Sequence, residues 1–229
     1  MRRLLLIGNS RWHWGDWLDG ALIEQRHGTA KEGVALLASQ PPHNWAAVGV
    51  VPATLEACRE CCLTTAQVPL ARLPLKVGVD RALAAWRAWR LVRRPVLVVD
   101  AGTALSLTLV DGDGGFCGGR LMAGARLQLQ ALHQGTAHLP QVPLVTGTLE
   151  SWPQQTDQAL SCGVIEGMIG AVLRGFDQRP CPDQDWQLWL TGGDAPLLLE
   201  GLQQRGLQPR HAEGLALEGL GDLVERLTR

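Results

Sequence analysis

Tyrosine is absent from the 229 residues, phenylalanine occurs twice and methionine three times, so nine tryptophans carry nearly all of the aromatic volume. They recur at no regular spacing, which excludes a ladder of stacking platforms for nucleic acid and points to core or interface packing. An excess of charge of one sign is also missing. A formal net charge of −1 gives no general attraction to a polyanion or an anionic membrane. No apolar stretch approaches the ~20 residues of a bilayer span, so no membrane partner is expected. The opening Met1-Arg2-Arg3 is followed by only four apolar residues before Gly8 and Asn9, too few for a secretory signal, and a cytoplasmic protein is expected. Among six cysteines, Cys58-x-x-Cys61-Cys62 is the one cluster, and no second Cys/His pair follows at zinc-site spacing. Reduced thiols in a reducing compartment fit this pattern.

What is present is a globular composition, 46% hydrophobic and 19% charged, in a chain long enough for one large domain or two lobes of roughly 100 residues. The central stretch reads Val96-Leu97-Val98-Val99, then Asp100-Ala101-Gly102-Thr103-Ala104, then alternating Leu105-Ser106-Leu107-Thr108-Leu109. This is a buried strand, a tight turn and a second strand with one face exposed. Asp100 supplies a carboxylate, Gly102 lets backbone amides approach a ligand, and Thr103 adds a hydroxyl, a set suited to phosphate oxygens and a hydrated cation. A second copy lies at the N-terminus. Leu4-Leu5-Leu6-Ile7 leads into Gly8-Asn9-Ser10 and another alternating strand, with Gly8 and Gly102 lying 94 positions apart. The repeat predicts two similar halves, residues 1–94 and 95–229, each offering one phosphate-cradling hairpin to a shared cleft.

Elsewhere strands and helices alternate, which argues for an α/β architecture. A helix is predicted over Gly33–Ser39, a buried strand over Trp45–Val51, a helix over Ala53–Cys62 and a strand with loop over Ala66–Leu75. Lys76-Val77-Gly78-Val79-Asp80-Arg81 leads into a helix through Leu91 with Arg87, Arg90, Arg93 and Arg94 toward solvent. Asp80 then falls at a helix N-terminus, where it either caps free amides or acts as a general base toward a substrate hydroxyl. Arg81 is either a solvated helix residue or a ligand for a carboxylate or phosphate. Further helices are predicted over Ala125–His133, from Thr156 as N-cap, over Pro196–Gln204 and over Gly214–Leu227, with an irregular segment over Leu139–Pro153. Gly163, Gly167 and Gly170 share one helix face, so a helix of the same chain, a dimer mate or a ligand approaches it closely. Thr191-Gly192-Gly193-Asp194-Ala195 is a turn at a strand's carboxyl end of the kind that receives a base or ribose.

The ordered set Gly8-Asn9-Ser10, Gly78-Val79-Asp80-Arg81, Asp100-Ala101-Gly102-Thr103-Ala104, Gly118-Gly119 with Gly124, Thr156-x-x-Ala159-Leu160-x-x-Gly163 and Thr191-Gly192-Gly193-Asp194-Ala195 resembles type III pantothenate kinase over nearly the full length. The resemblance implies the acetate and sugar kinase, Hsp70 and actin fold, two ribonuclease H-like lobes with ATP between them. It implies transfer of the γ-phosphoryl group of ATP to pantothenate, the first step of coenzyme A synthesis. It makes Asp80 the base and places Gly78, Val79 and Arg81 at pantothenate. Gly8, Asn9, Ser10, Gly102 and Thr103 become phosphate-loop residues, Asp100 a metal ligand, and Gly192 and Gly193 neighbours of adenosine. Thr156 reaches pantothenate from the partner subunit of a homodimer. Magnesium and a monovalent cation, potassium or ammonium, are the implied ions.

Three positions depart from the family pattern. The first loop of the family reads Asp-x-Gly-Asn-Thr, and its Asp position is Leu6 here, so magnesium relies on Asp100, on waters or on another carboxylate such as Asp16. A family Tyr at the pantothenate pocket is Ala71, and a Pro before Gly124 is Ala123. Beside the active kinase stand two alternatives: a non-catalytic or regulatory homologue that binds nucleotide or pantothenate, motivated by Leu6, and a kinase for another small hydroxy acid, motivated by Ala71.

Overall fold

Two sheets share one strand plan. In the first, β1 (Arg2–Ile7), β2 (Trp12–Leu18) and β3 (Ala21–Gly28) form an antiparallel meander, and β4 (Asn44–Ala47) joins β1 in parallel, giving the order β3-β2-β1-β4. In the second, β5 (Val96–Ala101), β6 (Ala104–Val110) and β7 (Phe116–Ala123) occupy the same places, and β8 (Gln187–Thr191) joins β5 in parallel, followed by the two-residue β9 (Arg210–His211). The structure, a computed structural model, describes residues 1–147 and 150–228. Thr148 and Leu149, within the expected irregular segment, lie outside the described residues. The helices are α1 (Ala30–Ser39), α2 (Ala53–Glu56), α3 (Val79–Val92), α4 (Ala125–Gly135), α5 (Thr156–Asp177), α6 (Ala195–Gln204) and α7 (Leu215–Thr228).

The contacts divide the chain into one unit of residues 1–93, 110–117 and 214–229 and another of 94–109 and 118–213. In the first, period-2 alternation sends Leu5 and Ile7 to one face with their register partners Trp14 and Trp12, where Leu37, Trp45 and Leu55 close a core. On the opposite side α7 packs on β1 and against α3, so this helix returns to the unit built by the N-terminal residues. The helices approach closely because Gly219 has no side chain: a Cβ there would lie 2.5 Å from the Leu83 carbonyl oxygen. In the second unit Leu97, Val99 and Ala101 of β5, with Leu188 and Leu190 of β8, meet Leu129, Met168, Ile169, Leu198 and Leu202 from α4, α5 and α6. β5 is buried at five of its six positions, as a central strand covered by helices requires, and the exception is Asp100.

Several predicted boundaries move, each for a local reason. The strand over Trp45–Val51 ends at Ala47, because Val48 and Gly49 turn so that both amides donate to the Ile7 carbonyl, at 2.9 and 3.2 Å. The helix over Ala53–Cys62 breaks after Glu56 into a 3-10 turn over Arg59–Cys61. Trp45 pins this break from both sides: its indole N–H donates to Cys58 O, and its own carbonyl accepts from the Leu63 amide. Ala66–Leu75 forms no strand beyond an isolated bridge between Ala71 and Gly115. Thr156 is the first residue of α5 rather than its cap, and Gln155 precedes it with no side-chain cap bond. At 22 residues α5 is also long and apolar enough, by length and composition, to cross a bilayer, against the expectation. Its Val164, Met168, Ile169 and Val172 are core residues of the second unit.

The arginines of α3 are not all solvated. Arg87 and Arg90 both engage Asp222 of α7, which is 3% exposed, and Arg87 Nε donates to Glu218 at 3.0 Å. Two guanidinium groups compensate one buried carboxylate, so removing Arg87 leaves Asp222 with Arg90 alone and takes the Arg87 partner from Glu218. Truncating Arg87 in Arg87→Ala is expected to cost about 1–3 kcal/mol in urea unfolding. The exposed pair Arg94–Asp185 of the other unit is expected to contribute under about 1 kcal/mol when Asp185 is replaced by Ala.

Candidate functional site

In the first unit the turn after β1 is held by the Gly8 amide, which donates to the Arg11 carbonyl at 3.0 Å. Gly49, on the turn after β4, lies against it: a Cβ on Gly49 would stand 2.2 Å from Gly8 O and 3.4 Å from the Asn9 Cα. Val48 continues the contact, its Cγ1 lying 3.5 Å from where a Gly78 side chain would begin. So Gly8 and Asn9 are joined to the Gly78–Arg81 segment through Val48 and Gly49, two residues that sequence reasoning leaves without a role. The signal that marks them is a glycine directly after a buried strand, a position that forms a turn at a sheet's edge.

Gly78 is the N-cap position of α3, with Val79 and Asp80 in its first turn. The Asp80 carboxylate folds back along the helix start, its Oδ1 accepting from the Arg81 amide at 2.7 Å. That rotamer requires a glycine two residues earlier, since a Cβ on Gly78 would sit 2.6 Å from Oδ1. Asp80 therefore does take up free helix amides, as the capping reading expects. It also departs from an ordinary surface cap: burial pushes its carboxyl above the usual carboxylate range, against the opposing pull of the Arg81 amide and charge.

A pocket of about 320 Å³ adjoins this segment, lined among others by Val48, Cys62, Thr64, Thr65, Val77 and Gly78. Its size is at the lower end for ligand pockets and suits a small molecule. Thr65, 8% exposed, fixes one wall by donating its hydroxyl to Val77 O at 2.7 Å; the sequence assigned it no role. Ala71 is not among the lining residues. It is exposed and bonded through its backbone to Gly114 and Phe116.

In the second unit three turns converge on 100–103. The Gly102 amide donates to Ala104 O at 3.1 Å, and the Gly124 amide to Thr103 O at 2.9 Å. A Cβ on Gly124 would fall 1.9 Å from Gly102 O, and one on Gly192 2.4 Å from both Ala101 O and Asp100 Oδ1. The Asp194 amide completes the enclosure by donating to Ala101 O at 2.8 Å. Asp100, Gly102, Thr103, Gly192 and Gly193 are thus brought together. Thr156 stands apart, exposed at the start of α5.

Among the described residues no group of three or more His, Cys, Asp or Glu side chains is placed to hold a metal. At Leu6 there is none to recruit. The residue is buried and pairs in register with His13, whose imidazole is held below its usual pKa by burial first and then by His27 and Arg11. Asp16 pairs instead with Arg3, three positions back along β1, and that odd offset puts it on the other face of the sheet. Asp16, named among the alternatives to a first-loop carboxylate, thus faces away from the Leu6 side chain; Asp100, another of them, is the carboxylate at a glycine turn, a donor suited to a magnesium ion that keeps its waters.

The family model of type III pantothenate kinase matches residues 4–178. A type III pantothenate kinase of Synechococcus elongatus is 35% identical over 252 aligned positions, covering 99% of this chain and 97% of its own. Among solved structures, a Campylobacter jejuni protein described as a Baf family transcriptional activator aligns with TM-score 0.62 at 19% identity, over 99% of this chain and 98% of that one. Component A of (R)-2-hydroxyglutaryl-CoA dehydratase from Acidaminococcus fermentans aligns with TM-score 0.59 at 12% identity, over 98% of both chains. The fold is that of the acetate and sugar kinases, Hsp70 and actin.

The glycine contacts give a direct stability test. Gly124→Ala and Gly192→Ala each force a backbone oxygen to move, and Gly192 also has φ +92°, so each is expected to lower stability by about 1–3 kcal/mol in denaturant melts. Gly135→Ala, with nothing within 4 Å of the new methyl, is expected to be neutral or slightly stabilising.

Proposed function

The chain belongs to the type III pantothenate kinase family, and from that premise we propose that it transfers the γ-phosphoryl group of ATP to the hydroxyl of pantothenate, giving 4'-phosphopantothenate, the first step of coenzyme A synthesis. The observation that carries this reading is Asp80, a carboxylate whose proton affinity is raised by burial, beside a pocket of about 320 Å³. Asp80 takes the hydroxyl proton as the phosphoryl group arrives, and its raised pKa makes it a stronger base than a solvated aspartate. Gly78 and Val79 border the pantothenate pocket, and Arg81 pairs with the carboxylate of the acid.

Gly8, Asn9 and Ser10 on one turn and Gly102 and Thr103 on the other bind phosphate oxygens, while Gly192 and Gly193 lie at adenosine. The lack of room for any Cβ at Gly49, Gly124 and Gly192 supports backbone turns shaped for close approach. Asp100 would hold a magnesium ion, which would supply charge neutralisation for the transferred group. Potassium or ammonium would be held at the same turn. The enzyme works in the cytoplasm as a homodimer, with Thr156 contributing to the partner's pantothenate site. The open face of α5 supports the dimer: among the described residues nothing lies within 4 Å of the Cβ positions of Gly163, Gly167 and Gly170, which leaves this face open to a dimer mate.

In a coupled ADP-release assay Asp80→Asn is expected to reduce kcat by about 10²-fold or more. The acid limb of kcat/KM for the unmodified chain is expected to lie above the usual range for a carboxylate. A pantothenate-dependent rate unchanged in Asp80→Asn would sink the assignment; binding without turnover selects the regulatory alternative, and turnover with another acceptor only selects the third. Stability runs the opposite way. A carboxyl with a folded pKa above its unfolded value stabilises most below the unfolded value and loses that contribution as pH rises through the folded one. Asp80→Asn is therefore expected to melt above wild type at pH 7.5, with the gap closing on acidification. For the dimer, Gly167→Trp is expected to give a monomer by light scattering and to lower pantothenate turnover; an unchanged dimer removes α5 from the interface.

A further inference from the structure

Two ordinary helix rules are broken at one place in the second unit. Arg126 lies in the first turn of α4, where the helix dipole disfavours a cation. Asp194 occupies the N-cap position of α6 and makes no side-chain cap bond, although capping is what an aspartate there normally does. Instead the two side chains pair with each other. The Asp194 side chain is 6% exposed and that of Arg126 65%, so a buried carboxylate anchors a guanidinium whose greater part faces solvent.

The turn these residues bridge is the second glycine turn. α4 begins at Gly124, whose amide bonds Thr103 O, and the Asp194 amide bonds Ala101 O. The ion pair therefore joins the two flanks of the Ala101–Thr103 turn and stations a positive charge beside it. Local rules given up together, at a turn with no room for side chains, are the pattern of a functional site. We propose that Arg126 is a nucleotide-binding residue that donates to the phosphate oxygens of ATP and ADP at the second glycine turn, and that Asp194 is the positioning residue that orients it. Arg suits this task because its planar fork keeps N–H donors available after one is committed to the carboxylate. The assignment rests on the kinase reading and names a residue that the motif resemblance leaves without a role.

The test is calorimetric titration of the full chain with ADP, ATP and adenosine, together with KM for ATP and for pantothenate. Arg126→Ala alone strands a buried charge and loses stability whatever its role, so the informative variant is Arg126→Ala with Asp194→Asn, which removes both charges. That double variant is expected to recover most of the melting temperature lost by Arg126→Ala, yet to bind ADP and ATP about tenfold or more weakly, the scale of a charge-assisted hydrogen bond. Adenosine affinity and KM for pantothenate are expected to stay unchanged. Arg126→Lys, which keeps the charge and loses the fork, is expected to fall between. A double variant that binds ADP and ATP as wild type does makes the pair purely structural and overturns the proposal. A defect confined to KM for pantothenate, with ADP and ATP binding untouched, overturns it as well. Because the readout is nucleotide binding, a chain that binds ADP through Arg126 but fails to phosphorylate pantothenate upholds this assignment while sinking the proposed reaction.

Discussion

Close approach of backbone to backbone is the constraint on which the two candidate centres depend. The carbonyl oxygens of Gly8, Ala101 and Gly102 occupy space that a side chain on Gly49, Gly192 or Gly124 would need. Each unit thus builds its turn by leaving out methyl groups at positions distant in sequence. The strand plan gives these turns their places. In both sheets the glycine turn links the central strand to its antiparallel neighbour, and a parallel strand lies on the other side of that central strand. Helices cover the second sheet and a tryptophan-rich core the first, so the strands are rigid and the turns at their ends inherit fixed positions.

Asp80 shows how one side chain serves two physical demands. Its carboxylate satisfies a helix amide that has no partner within α3, which orients it, and the same location removes it from much of the surrounding water, which raises its pKa. The orientation would fail without Gly78, and the pocket wall beside it is fixed by Thr65 through the Val77 carbonyl. Capping and proton acceptance are therefore compatible here: a carboxylate that lends one oxygen to a helix start keeps lone pairs for a substrate.

The departure at Leu6 has a structural counterpart. Position 6 lies inside a buried strand across from an imidazole whose pKa is lowered. A hydrocarbon side chain at this position avoids the desolvation that a carboxylate would suffer there. The carboxylate at the second glycine turn is Asp100, the half-buried position of an otherwise buried strand, and the cationic side chain stationed beside that turn is Arg126.

Periodicity and turn chemistry are local properties, so the features they dictate are legible in the residues. The α/β class, the repeated hairpin, helices beginning near Gly78, Gly124 and Asp194, and the glycine turns themselves can be read without coordinates. The order of the six motifs marks the family. The pairing of residues far apart in the chain is not legible. Nothing in the local pattern tells that α7 returns to the first unit and draws Arg87 and Arg90 onto Asp222, that Gly49 lies against Gly8, or that Arg126 meets Asp194 across a turn. Each of these depends on which surfaces meet when the sheets are covered. A hydrophobic pattern specifies that a face is buried, but the partner that buries it is selected by the packing of the whole chain.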